Sequence, residues 1–320
     1  MESIHMGEMR LTPIARGLLT YVPAVNDLLR PSRSEGQTES ASYCYSLWMR
    51  HLTLLHAHGY RGTPNTVAEL GPGETLGVGL CALLSGADHL VGLDVVAHSN
   101  LEKNQASLNA LLPLFREKAS GLVKGWPDYS AHLDARHFPG HILTEEVLEN
   151  ALRPDRIDAI RRALTGATPS NPITVDYKAP WTDPRVIDAG TVDLITSSSV
   201  LEHVVDLPYT YKALYQWLKP GGWMSHQVDL KSHGLTRRWN GFRSCSEGIW
   251  NLAAGKRPYL INRQPVSVHL QLMQEAGFKL VTQMKMQRTD GIRREELAPR
   301  WADISDEDLN CSALFVIATK

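Results

Sequence analysis

An α/β fold built on a mostly parallel sheet is predicted by three features of this sequence. Val67-Ala68-Glu69-Leu70-Gly71-Pro72-Gly73-Glu74-Thr75 reads as a short apolar strand running into a glycine turn. Leu76, Leu80, Leu83 and Leu84 then fall on one face of a helix. A second strand, Leu90-Val91-Gly92-Leu93-Asp94, ends in an acid. That is the layout of a βαβ nucleotide-binding unit, in which a carboxylate stands about 20 residues past the first glycine. Near the end of the chain, residues 278–286 and 313–319 alternate or run apolar, as a closing antiparallel pair would.

The glycines allow backbone to approach a ligand, because no Cβ intervenes. An acid at the tip of the second strand can accept hydrogen bonds from both ribose hydroxyls. A dinucleotide loop is G-x-G-x-x-G. Gly71 and Gly73 fit it, but Leu76 holds the third place and Gly77 comes one residue late, which disfavours a pyrophosphate bed. Downstream, Thr191-Val192-Asp193-Leu194-Ile195-Thr196-Ser197-Ser198-Ser199-Val200-Leu201-Glu202-His203-Val204 carries a strand into a turn. Tyr211, Leu214, Tyr215 and Leu218 follow at helical spacing, and Leu218-Lys219-Pro220-Gly221-Gly222-Trp223-Met224 turns into a fifth strand.

Glu69-Leu70-Gly71-Pro72-Gly73, the 191–204 strand and turn, and the L-x-P-G-G turn resemble, in order and spacing, the motifs of class I S-adenosylmethionine-dependent methyltransferases. They cover about residues 67–230. Thr75 departs from the pattern, since many members carry a third glycine there. The stretches ELGPGETLG, HQVDLKSHG and GKRPYL are similar to a bacterial subgroup of these enzymes. The resemblance implies a Rossmann-like fold: a mostly parallel seven-stranded sheet with a C-terminal antiparallel strand pair and helical insertions. It implies S-adenosyl-L-methionine as cofactor, leaving as S-adenosyl-L-homocysteine. It places Glu69, Gly71, Gly73 and Thr75 at the methionyl and ribose part, Asp94 on the ribose, and Asp176 or Tyr177 at the adenine amine. Ser198 and Ser199 fall beside the cofactor, at the C-terminal end of the fourth strand.

The 320 residues suffice for a large α/β domain with embellishments. The expected organisation is an N-terminal helical extension or cap over 1–60 and a methyltransferase domain over 61–320. That domain carries a helical insertion at about 97–172 and an acceptor-shaping insertion at about 231–264. A net charge of −1 gives no global pull toward nucleic acid or an anionic membrane, and no apolar run reaches membrane-spanning length. The four cysteines are far apart and form no C-x-x-C. This argues against a zinc knuckle or dithiol and for the reducing cytoplasm, and no signal peptide opens the sequence.

Along the N-terminal extension, Leu18, Leu19, Val22, Val25, Leu28 and Leu29 could share a helical face, interrupted at Pro23. Residues 43–58 read as a helix with Tyr45, Trp48, Leu52 and Leu55 on one stripe. It either packs on the sheet or caps the cofactor through Tyr43 or Tyr45. In the 97–172 insertion, Leu101, Leu108, Leu111, Leu112 and Phe115 form a stripe, Thr144 caps a second helix, and Pro154 opens a third that Gly166 ends. This is read as a lid or as a homodimer contact. Its run Asp128, His132, Asp134, His137, His141 contains Pro139-Gly140, which would break the helix a metal pair needs. No metal is expected.

Residues 173–177 read as the third strand. Glu202 and His203 open the helix after the fourth. The fifth strand, about 223–230, leads into Lys231, Ser232 and His233. Methylating a hydroxyl requires a group to take its proton, and histidine suits this near neutral pH. The candidates are Asp229 and His233, then His226, which could instead be a buried histidine bonded within the sheet. Residues 231–263 hold seven lysines and arginines against Glu247, with Trp239, Phe242, Trp250 and Tyr259 interleaved. This is either a solvated basic face or an acceptor pocket, since guanidinium forks bind carboxylate or phosphate and aromatic faces stack on rings. Residues 288–308 form a charged loop near the site.

The expected function is O-methylation of a small-molecule or glycan-like acceptor, with an anionic sugar as one candidate. Serines end the fourth strand, and the (N/D)-P-P-(Y/F) motif of amino-methylating nucleic-acid enzymes is missing, so oxygen is preferred and nucleic acid is not. The competing readings are an NAD(P)-dependent oxidoreductase and a non-catalytic cofactor-binding module.

Overall fold

The computed structural model describes residues 5–22, 37–120, 124–166, 173–181, 183–257 and 259–320. Seven strands form a single sheet: β1 (Thr66–Leu70), β2 (His89–Leu93), β3 (Thr174–Lys178), β4 (Val192–Ser198), β5 (Leu218–Asp229), β6 (Lys279–Gln287) and β7 (Cys311–Thr319). Their order is β3-β2-β1-β4-β5-β7-β6. The first five run parallel, and β7 lies antiparallel between β5 and β6. The strand order reverses between β1 and β4, the switch point where open α/β sheets place a ligand. The expected mostly parallel sheet with its antiparallel closing pair is what forms.

One face of the sheet is covered by α2 (Ala41–Ala57), α3 (Gly77–Leu84) and α4 (Leu101–Arg116), which bury Trp48, Leu80, Leu108 and Phe115 against Val67 and Leu90. Fully burying a side chain of this size contributes roughly 1.5–3 kcal/mol. The insertion adds α5 (Glu145–Ala151), capped by Thr144 as expected, and α6 (Pro154–Leu164), which closes the same core with Ile157 and Ile160. On the opposite face, α7 (Leu207–Trp217) and α9 (Val266–Glu275) bury Tyr211, Leu214, Trp217 and Met273. The short α10 (Asp306–Asn310) leads into β7.

A third small core lies beside the sheet. There α1 (Leu11–Leu19) packs on α8 (Glu247–Ala254), and Met9, Leu235, Phe242, Ile249 and Trp250 are buried together. The N-terminal stretch thus embraces the 231–264 insertion. Gly17 is the contact point, because a Cβ there would stand 2.0 Å from the Leu252 carbonyl oxygen.

Some local expectations differ from the structure. Leu18 and Leu19 are exposed rather than lining a buried face, and Pro23, Val25, Leu28 and Leu29 lie outside the described residues. The L-x-P-G-G turn does not merely precede β5. It bulges within it, since Leu218 pairs with Val192 and Trp223 with Leu194. Glu202 and His203 do not open a helix. They sit in a 3-10 turn, Leu201–His203, and α7 starts later with Asp206 as its cap.

Candidate active site

The turn after β1 is held open by its own backbone. Gly71 and Gly73 adopt φ of +70° and +73°, a region that L side chains enter only at a cost. A Cβ on Gly71 would lie 2.4 Å from Val200 Cγ2, so the glycine turn and the turn after β4 touch. Gly71→Ala is therefore expected to lose about 2 kcal/mol of stability or more, together with cofactor affinity, in parallel thermal melts and calorimetry.

At the tip of β2, Asp94 is buried. Its carboxylate accepts from the Gly73 N–H at 3.2 Å and the Val95 N–H at 2.8 Å. Burial raises its pKa above the carboxylate norm, against those two N–H groups and His98, which pull it down. Bare glycine backbone beside a strand-end carboxylate fits an adenosyl ligand: there is no side chain to displace, and the acceptor is matched to ribose hydroxyls.

The other cofactor-side candidates act mostly on this bed. Glu69 accepts from the Gly79 N–H at 2.9 Å, bracing the first turn of α3, and burial pushes its carboxyl up to about 8. A raised carboxyl pKa means the folded state keeps a proton that the unfolded chain releases. Stability is therefore lost as pH climbs from the ordinary carboxylate range through about 8. Glu69→Gln, which cannot ionise, should flatten that decline, so the gap in melting temperature between variant and parent should grow from pH 5 to pH 8. A gap that does not change with pH would contradict this.

Thr75 Oγ1 accepts from the Gly77 N–H and donates to the Thr38 carbonyl, while Thr38 Oγ1 accepts from the Glu74 N–H. The segment before α2 is thereby strapped onto the glycine turn. Tyr177 is engaged with the loop after β2, its hydroxyl donating to the Val96 carbonyl and accepting from the His98 N–H. Asp176 points away from that loop, exposed beside Lys178 at 3.6 Å.

Helix α2 is buried on nearly every side. Tyr45 is core, stacked edge-on against Phe115 and donating to the Ala119 carbonyl, so it does not touch a cofactor. Tyr43 faces Arg50 and Glu202 electrostatically, and burial raises its phenol. The sequence reading missed two polar residues on this helix. His51 bonds Ser225 Oγ at 2.7 Å and Ser198 Oγ at 3.0 Å, and burial holds it down to about 3. Arg50 is buried over the Tyr129 ring and donates through Nε to the Pro127 carbonyl, with no carboxylate in ion-pair range among the described residues. A charged residue inside a helix buried all round was the available signal. Ser198 thus turns to His51, whereas Ser199, at φ +55°, is exposed.

His226 does not reach the catalytic edge. It is fully buried, bonded to Ser197 Oγ at 2.7 Å, and burial lowers it to about 3. Its neighbour His269 bonds Tyr211 at 2.8 Å. It is the buried sheet histidine of the two alternatives.

Asp229 and His233 do meet. His233 Nε2 is 3.8 Å from Asp229 Oδ2 and 3.8 Å from Glu202 Oε1. Lys231 Nζ is 3.1 Å from Asp229 Oδ2. Glu202 is only 2% exposed, and neither carboxyl oxygen makes a well-formed hydrogen bond within the described residues. Burial holds its pKa well above the carboxylate norm. His203 donates through Nδ1 to the Tyr259 carbonyl, and ligating atoms of Glu202, His203 and His233 lie within 4.8 Å of one another. The Asp128–His141 run makes no such grouping among the described residues.

Asn262 fixes the insertion to this turn. Its N–H donates to the Glu202 carbonyl at 2.6 Å, and its amide donates to the Leu201 and Val204 carbonyls at 2.8 and 2.9 Å. Glu202, Asp229, Lys231, Phe242, Arg263 and Gln264 line the resulting shallow cleft. The 231–263 stretch is solvated only in part: Arg237 and Lys256 are exposed, whereas Arg243 and Arg263 are buried. Arg238 pairs with Glu8 and Glu296, Arg263 pairs with Glu247, and Arg243 is buried between rings. The 288–308 loop packs on it, through Asn240 to the Ile292 N–H and the Ala298 N–H to the Arg243 carbonyl.

The methyltransferase-domain family profile matches residues 52–283. The ubiquinone biosynthesis O-methyltransferase of Burkholderia vietnamiensis is 26% identical over 200 residues, covering 58% of this chain and 80% of that protein. Its namesake in Burkholderia multivorans is 26% identical over 199 residues, with the same coverage. Among solved structures, an S-adenosylmethionine-dependent methyltransferase from Mesorhizobium loti superposes with a TM-score of 0.41 at 15% identity, covering 83% of this chain and 96% of its own. Phosphoethanolamine N-methyltransferase 2 of Haemonchus contortus, in complex with S-adenosyl-L-methionine, gives 0.41 at 16% identity, covering 87% and 56%. The family match sets aside the nicotinamide oxidoreductase alternative. No helix among the described residues is long and apolar enough to cross a membrane. With the family profile spanning most of the chain, the chain belongs to the methyltransferase-domain family and is a class I S-adenosylmethionine-dependent methyltransferase.

Proposed function

We propose that this enzyme methylates a hydroxyl oxygen of a small-molecule acceptor, glycan-like molecules included, at the wall formed by Glu202, Asp229 and His233. The observation that carries the reading is that Asp229 and His233, at the end of β5 and just beyond it, meet Glu202 on the turn whose Val200 abuts Gly71. Acceptor wall and cofactor bed are thereby neighbours. The name of the Burkholderia relatives supports oxygen as the target.

S-adenosyl-L-methionine, when bound, supplies a methyl carbon made electrophilic by its sulfonium. The residues that would hold it are Gly71, Gly73 and Asp94, with Arg50, whose guanidinium has no carboxylate in ion-pair range among the described residues, as a candidate for its carboxylate. The rest falls to the chain. The cleft orients the acceptor hydroxyl and sheds water, which removes much of the entropic barrier to an in-line attack. His233 Nε2 takes the hydroxyl proton, and Asp229 at 3.8 Å stabilises the imidazolium that results. Glu202, whose carboxyl pKa burial holds well above the carboxylate norm, lines the site as a hydrogen-bonding group rather than as the base. All four cysteines are free and buried, which supports a reducing compartment, and we place the reaction in the cytoplasm.

The test is mass spectrometry of metabolite and glycan extracts incubated with the enzyme and a deuterated-methyl cofactor. Label on an oxygen of a small molecule is the expected result. Label on nitrogen or carbon, or cofactor that binds without any transfer, would overturn the reading.

A further inference from the structure

Beside the proposed catalytic wall, two guanidinium groups are buried, Arg243 and Arg263. Arg263 is 7% exposed, lines the cleft, and takes a left-handed backbone with φ +65°. It lies 4.1 Å over the Trp250 ring and grips Glu247 through both terminal nitrogens, at 3.0 and 2.9 Å. The same carboxylate also accepts from Arg300 at 2.9 Å. Arg243, 1% exposed, lies between Phe242 and Trp301 at 5.1 and 4.6 Å, and burial lowers it to about 10. Asp308, the nearby acid, is bonded to the Ser267 N–H and hydroxyl at 2.9 and 2.6 Å. Arg263 and Arg300 therefore share one carboxylate, while Arg243 has no ion pair among the described residues.

Among the described residues, Arg263 Nε and Arg243 Nε and Nη1 are buried without a hydrogen-bond partner, as are both Glu202 carboxyl oxygens and Trp301 Nε1. Burying cations this way is costly unless a counter-charge arrives. The cleft that Arg263 lines also presents the apolar surfaces of Leu230, Phe242 and Ile261, which suit the body of a ring.

We infer that the acceptor bears an oxyanion, a carboxylate or a phosphate, seated against Arg263 while its hydroxyl faces Glu202, Asp229 and His233. The inference rests on the acceptor reading above and narrows it. Glu247 is then a resident competitor: it holds the guanidinium in place and is partly displaced by the incoming anion.

Trp250 and Trp301 flank Arg263 and report on it. Enzyme saturated with S-adenosyl-L-homocysteine is titrated with inorganic phosphate, acetate, glucuronate and glucose, following tryptophan fluorescence at ionic strength held constant with sodium chloride. Saturable responses to the anions and none to glucose are expected, and the contrast between phosphate and acetate tells which oxyanion is preferred. Arg263→Gln should weaken the best anion by about tenfold or more, the worth of one charged hydrogen bond. Glu247→Gln should tighten it severalfold, an opposite sign that a merely structural ion pair would not give. That arm stands even if the Arg263 variant fails to fold. Equal responses to glucose and glucuronate, no saturable response to any anion, or a Glu247→Gln affinity that is unchanged or weaker would overturn the inference. Failure to bind S-adenosyl-L-homocysteine at the outset would instead strike the adenosyl bed.

Discussion

Asp94→Ala is expected to weaken binding of S-adenosyl-L-homocysteine at least about 100-fold in titration calorimetry. A charged acceptor facing two ribose hydroxyls contributes roughly 1.5–3 kcal/mol per hydrogen bond, and a factor of 100 needs only about 2.7 kcal/mol. The variant also loses the brace on Gly73, since the Asp94 carboxylate accepts from that N–H at 3.2 Å. Asp94→Asn keeps one oxygen acceptor and should fall between variant and parent. If both variants bind like the parent, the glycine turn and β2 tip are not the adenosyl bed.

His233→Ala is expected to lower kcat by about 10²- to 10⁴-fold, the usual contribution of a positioned proton acceptor, with cofactor affinity unchanged. Asp229→Ala should do less, because it acts on the imidazolium and not on the reacting oxygen. Glu202→Gln should cost far less than His233→Ala, since burial disfavours the charged form of the native carboxyl and the amide preserves a neutral hydrogen-bonding group. The ordering of these three variants is the informative result. A Glu202→Gln loss as deep as that of His233→Ala would transfer the base role to Glu202.

The parts of the molecule legible in the sequence are those encoded by local backbone demands. Gly71 and Gly73 must be glycine where φ is positive beside Val200, and Asp94 sits at a strand end in any βαβ unit. The closing pair showed itself by the burial of β7 along nearly its whole length. Strand alternation separated His226 from Asp229 but did not say which face met the core. That needed the register of Ser197 against His226 and the cover of α9. Arg50 and His51 were hidden because the Tyr45, Trp48, Leu52 and Leu55 stripe pointed to one buried face, whereas α2 is buried on nearly every side. The partners of the basic stretch, Glu8 and Glu296 for Arg238, lie 230 and 58 residues away, beyond any local pattern. Glu202 looked like a helix opener because acids favour first turns. The chain instead takes a 3-10 turn there and sinks the carboxyl.

The three hydrogen bonds of Asn262 to the 201–204 turn have a mechanical corollary. On the proposed reading, an acceptor loop riveted to that turn cannot swing like a gate, and discrimination among acceptors resides in its resting shape. New preferences could then be installed by grafting residues 231–264 as a block, with Asn262 kept as the rivet and the nucleoside-binding half left untouched.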